Sequence, residues 1–201
     1  MTAQASQTRM ANQAFTLLGS SSRINSIGDG TPLAAAAARV WDEARDETLV
    51  AHPWNEALHR AALPVSADHV PANEYAYAYE LPADCLRWLP WRQDHANWFE
   101  GVQEGRFILS NAEAPIYVRY IRRIEDVALW SVPLRAAIVA KLAWYLADSV
   151  TASSRKVDAA AAAFGEAIRE AKKLDGLASG DRDRRAEYRS SWLDARSRGH
   201  G

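Results

Sequence analysis

Apolar residues recur at helical spacing toward both ends of the chain and give way to alternation in the middle. Near the start, Met10, Ala14, Phe15 and Leu18 fall close to one stripe, and Gly19 followed by three serines supplies a stop. The spacing predicts a helix over residues 5–18. Thr31-Pro32 reads as an N-cap followed by the helical position that tolerates proline. A second helix over residues 32–51 then carries Leu33, Ala36, Ala37, Val40, Trp41 and Ala44 on one face, with Asp42, Glu43, Arg45 and Asp46 turned mostly away. His52-Pro53 ends it, because the residue before a proline avoids the helical region.

From about residue 54 to 124 the period changes. Tyr75, Tyr77 and Tyr79 alternate with Ala76, Ala78 and Glu80, the pattern of a half-buried strand. Strand readings also fit residues 87–91, 106–110 and 116–124. Pro64, Pro71, Pro82, Pro90 and Pro115 punctuate them, which predicts short antiparallel strands with irregular links. At the entry to this insertion, the turn His52-Pro53-Trp54-Asn55 is expected to anchor the second helix through Trp54.

Beyond Ile124, Ser131 and Pro133 start a helix over residues 133–149, in which Leu134, Ala137, Ile138, Lys141, Leu142 and Tyr145 run at helical spacing. It is largely apolar and so is expected to be buried. A last helix over 153–174 shows the stripe Val157, Ala160, Ala161, Phe164, Ile168 and Ala171, with Asp175-Gly176 expected to close it. The fold class that follows is mainly α with a small β insertion (α+β). A bundle of N- and C-terminal helices forms a body over residues 1–175, and residues 176–201 form a C-terminal arm. The arm holds Leu177 and Leu193 as its only large aliphatic residues, so it is expected to stay mobile until it docks.

Composition narrows the function. The 201 residues are 48% hydrophobic and 24% charged, the balance of an ordinary globular protein. No apolar run approaches the roughly 20 residues that span a bilayer, and the polar opening Met1 to Thr8 predicts no secretion. Cys85 is the single cysteine, so no internal disulfide or thiolate cluster is available. The net charge of −1 speaks against nucleic-acid binding as the main task. Eight tryptophans hint at interfaces.

Candidate chemistry is sparse. There is no P-loop, G-x-S-x-G or H-E-x-x-H motif. His52 and His59 are separated by Pro53, which breaks the helix that would align them on a metal. Gly28-Asp29-Gly30 reads as a turn rather than a phosphate loop, since no strand precedes it. Cys85 reads as a small core residue rather than a nucleophile. No catalytic residue, metal or cofactor is expected. The row Tyr75, Tyr77, Tyr79 reads as packing rather than a base-stacking platform. The arm sets six arginines against four acids and includes Tyr188 and Trp192. Arg182, Arg184, Arg185, Tyr188, Arg189 and Trp192 are therefore the candidate partner-binding residues, and His52, Pro53, Trp54, Tyr77 and Tyr79 the candidate structural ones.

Several stretches carry a family resemblance in their order and spacing over about residues 11–175. They are Ala14-Phe15-Thr16-Leu17-Leu18-Gly19; Ala44-Arg45-Asp46 with Leu49 and the His52-Pro53-Trp54-Asn55 turn; Tyr77-Ala78-Tyr79-Glu80-Leu81-Pro82-Ala83-Asp84-Cys85-Leu86-Arg87; Glu104-Gly105-Arg106; and Ala114-Pro115-Ile116-Tyr117-Val118-Arg119-Tyr120-Ile121. Together they resemble the tail tubular protein A-like and related head-to-tail adaptor proteins of tailed phages and gene transfer agents. The resemblance implies a helical bundle with a β insertion, assembled as a ring of twelve copies between portal and tail. Its implied partners are the portal protein, tail or stopper proteins, further copies of itself, and double-stranded DNA passing through the lumen. Its implied place is the neck of a particle assembled in the bacterial cytoplasm.

Two other classes compete. A DNA-binding or packaging accessory protein would use the arginine-rich arm on phosphates and the tyrosine row on bases. A hydrolase would use carboxylates such as Asp84, Glu100, Glu104 and Glu113, which are more often solvated surface groups.

Overall fold

A computed structural model describes residues 3–178, with side chains from residue 7. Helix α1 (Ala3–Leu17) buries Met10, Ala11, Ala14 and Phe15. Its end is chemically legible: Gly19 adopts φ +74°, Ser20 N–H donates to Phe15 O at 3.0 Å and Gly19 N–H to Thr16 O at 2.9 Å. This is the Schellman arrangement that a glycine permits. Helix α2 (Pro32–Val50) starts as expected, with the Thr31 hydroxyl accepting from Ala34 N–H and Pro32 in the first turn. Helix α3 (Val132–Thr151) is capped in the same way by Ser131 and stops at Ala152, in the left-handed region at φ 47°.

Helix α4 (Ser154–Ala178) departs from expectation, because it runs straight through Asp175-Gly176. A glycine in a helix costs about 1 kcal/mol; here the Asp175 side chain is fixed from outside the helix, as described below, and that contact carries the helix past it. Residues 176–178, expected to open the arm, are thus helical, and residues 179–201 lie outside the described residues.

Between α2 and α3 lie six strands: β1 (Leu58–Leu63), β2 (Tyr77–Glu80), β3 (Cys85–Leu89), β4 (Gly101–Glu104), β5 (Phe107–Ser110) and β6 (Ile116–Arg122). They form two antiparallel three-stranded sheets, ordered β1-β6-β3 and β2-β5-β4. The four anticipated strands are present with trimmed ends, β3 shifted two residues toward the N-terminus. Strands β1 and β4 were not anticipated. Each is an edge strand with little apolar alternation, so hydrophobic patterning carries no signal for it. Gly101 is needed at the start of β4, where an added Cβ would stand 2.9 Å from Leu109 O.

Leu63, Tyr79, Leu81, Ile108, Ile116, Val118 and Tyr120 make a core between the two sheets. A larger core unites the helices and takes in Ile121 from the first sheet and Ala57 just before β1. The mainly helical α+β class holds. Of the tryptophans, Trp41, Trp54 and Trp130 are core residues, and Trp41 stacks on Trp130 at 6.2 Å. The abundance of tryptophan thus reflects packing as much as surface. Among the described residues no helix is long and apolar enough to cross a membrane.

Candidate functional site

The turn after α2 is a joint. Trp54 is fully buried, and its indole N–H donates to Thr48 O at 2.9 Å. The His52 ring meets it edge-on at 4.8 Å. His52 Nε2 also lies 3.0 Å from Asp175 Oδ2, while Asp175 Oδ1 accepts from the backbone N–H and the side-chain amide of Asn55, each at 3.0 Å. Asp175 is only 8% exposed. The structure thus brings His52 and Trp54 together with Asn55 and Asp175 and leaves the neighbouring Pro53 exposed. The joint fixes where the last turn of α4 leaves the body.

A second joint crosses three helices. Lys141, 6% exposed on α3, pairs with Glu47 of α2 at 2.7 Å. Its ammonium group lies 4.3 Å from the ring centre of Trp144, 4.5 Å from that of Tyr145 and 4.9 Å from that of Phe164 on α4. The Tyr145 hydroxyl donates to the same Glu47 oxygen. Hydrogen bonds from Lys141 and then Tyr145 hold the Glu47 carboxyl below its ordinary value. Burial, followed by the bond to Glu47, pushes the Tyr145 phenol up. A cation enclosed by rings and one carboxylate locks α2, α3 and α4 in register. Sequence alone placed Lys141 in an apolar stripe, which was the only sign of this cluster.

The tyrosine row is packing. Tyr79 is fully buried and its hydroxyl donates to Ala112 O; Tyr77 is half-buried and packs against it at 6.4 Å. Tyr79 therefore has no face open to a base. The candidate reactive groups also disperse. Burial, then Asp84, pushes the Cys85 thiol up to about 11, so at neutral pH it is a protonated, weakly nucleophilic group. Asp84 accepts from the Tyr120 hydroxyl at 3.1 Å, and that phenol is pushed up to about 12, chiefly by burial. Glu100, Glu104 and Glu113 are exposed. His59 packs on Tyr120, His69 on Phe107 and His95 on Trp91. Asp29 folds back to accept from Asn25 N–H and Ser26 N–H, which is turn chemistry. Among the described residues no group of three or more potential ligands could hold a metal ion.

The bundle leaves apolar surface open to a partner. A groove of about 330 Å³ runs between the end of α1 and α4, floored by Ala140 and Ala143 and walled by Leu17, Ala159 and Ala163. Leu17 at its rim is 62% exposed. Lys156 closes one side by donating to Leu18 O at 3.0 Å. A second groove, of about 420 Å³, lies beside Met10, Val127, Val132 and Arg135, with Val132 69% exposed. Large apolar side chains left in water flanking concave surface are the usual material of protein contacts. The arm residues Arg182, Arg184, Arg185, Tyr188, Arg189 and Trp192 lie outside the described residues. No protein-family model matches the chain, and no curated protein matches it.

Proposed function

We propose that this chain is a structural head-to-tail connector, a subunit of a ring between the portal and the tail of a phage or phage-like particle, with DNA passing through the lumen. The observation that carries the reading is the exposed apolar surface of the bundle: Leu17, Leu129 and Val132 beside two grooves. The family resemblance over about residues 11–175 supports it, since the helical bundle and β insertion that it implies are the observed elements. In this reading the partners are the portal protein, a tail or stopper protein and neighbouring copies in a ring of twelve. The arm from residue 179 onward reaches the portal through its arginines, Tyr188 and Trp192.

The alternative, a DNA-binding accessory protein, loses its stacking platform to the burial of Tyr79 and rests on the arm alone. Sedimentation of the purified chain with and without preformed portal rings separates the two. The connector reading predicts co-sedimentation with portal that is lost on deleting residues 179–201, while the body melts unchanged. Stable rings at low micromolar concentration without portal contradict it, as does attachment that survives the deletion.

A further inference from the structure

One face of the sheet β1-β6-β3 carries three arginines that have no counter-ion among the described residues. Arg119 of β6 stands directly opposite Arg60 of β1, and Arg87 of β3 stands opposite Ile121. Side chains alternate along a strand and cross-strand partners share a face, so positions 60, 87, 119 and 121 lie on one face. Ile121 belongs to the helical core, and Arg119 sits two positions farther out. Like charges directly opposite one another destabilise a strand pair. The arginine ion pairs among the described residues belong to Arg45, Arg92, Arg106 and Arg123, and none reaches Arg60, Arg87 or Arg119. The Nε groups of Arg87 and Arg119 are shut off from solvent and have no hydrogen-bond partner among the described residues, so neither water nor protein offsets them there. The Arg119 guanidinium is held 5.0 Å over the Trp91 ring. Trp91 is itself fixed by donating its indole N–H to Tyr117 O at 2.7 Å and by stacking on His95 at 3.9 Å.

We propose that this face, Arg60, Arg87 and Arg119 beside Trp91 and the exposed Tyr117, docks a carboxylate-rich segment of a partner protein. The planar fork of arginine matches a carboxylate through two parallel hydrogen bonds. Arginine, tryptophan and tyrosine side by side are the residues that dominate protein–protein binding energy. A nucleic acid fits less well, because three charges grouped across neighbouring strands do not follow a phosphate track. The inference goes beyond the connector reading and does not depend on it, since a single copy carries the whole face.

Isothermal titration calorimetry of the full chain with a hexaglutamate peptide, and separately with single-stranded and duplex DNA of matched charge, tests it. Saturable binding of hexaglutamate is expected, weakened at least tenfold in Arg119→Gln and in Arg60→Gln. Arg60 is exposed, so Arg60→Gln keeps the test open if Arg119→Gln fails to fold. Arg169→Gln, on the exposed side of α4, is expected to bind like the unchanged chain. Absence of saturable binding, affinity unchanged from the unsubstituted chain in both face variants, or tighter binding of either DNA than of the peptide overturns the proposal.

Discussion

The carboxylate of Asp175, in the last turn of α4, accepts a hydrogen bond from the backbone N–H of Asn55, 120 positions earlier in the chain, at 3.0 Å. An acid at a helix C-terminus opposes the helix dipole, so its place there depends on the donors that meet it: Asn55 and His52. Asp175→Ala removes the acceptor of these buried bonds and is expected to cost about 2–3 kcal/mol. Urea denaturation reads the loss, and proteolysis around residues 174–178 is expected to quicken as the last turn frays. An unchanged midpoint shows that the joint adds nothing.

Trp54 fills the centre of the same joint. Trp54→Ala is expected to lower stability by about 3–5 kcal/mol, as for other buried aromatic truncations. Trp54→Phe keeps a ring but abandons the bond to Thr48 O, and is expected to lie between the two. Thermal melting of the three proteins checks the order.

The lowered Glu47 carboxyl gives a pH dependence with a definite sign. Its folded-state value lies below the ordinary value near 4.5, so the folded state favours the charged form. The stabilisation is present above the unfolded value and fades as pH falls through the folded value. Glu47 is 47% exposed, and solvent screening limits the size of the effect. Denaturation midpoints measured from pH 6 downward are expected to fall more steeply for the unchanged chain than for Glu47→Gln. Parallel curves contradict the assignment.

With its thiol pushed up to about 11, Cys85 is on the order of one part in a thousand thiolate at pH 8. Alkylation by iodoacetamide is expected to be slow in the folded chain and to accelerate when urea unfolds it. Equal rates in both states refute the shift.

The helix starts were readable because their chemistry is local: Thr31 with Pro32 and Ser131 with Pro133 each cap within one turn. The stop at Gly19 was readable for the same reason. The end of α4 was not, because what carries it past Gly176 is an aspartate bound to a turn 120 residues away. Strand β1 escaped notice because His59 and Arg60 interrupt a short run of alanine and leucine that pairs along one side only. Lys141 looked like a polar gap in an apolar helix, and its aromatic enclosure exists only once α2, α3 and α4 have met. The arginine face is a matter of register, since Arg60 and Arg119 become neighbours only through the β1–β6 pairing.

The connector reading is tested most directly by electron microscopy of purified particles in which this chain carries a gold-binding tag. The account predicts label at the neck, between head and tail, in a ring around the particle axis. Label confined to the cytosol, with none on particles, contradicts it.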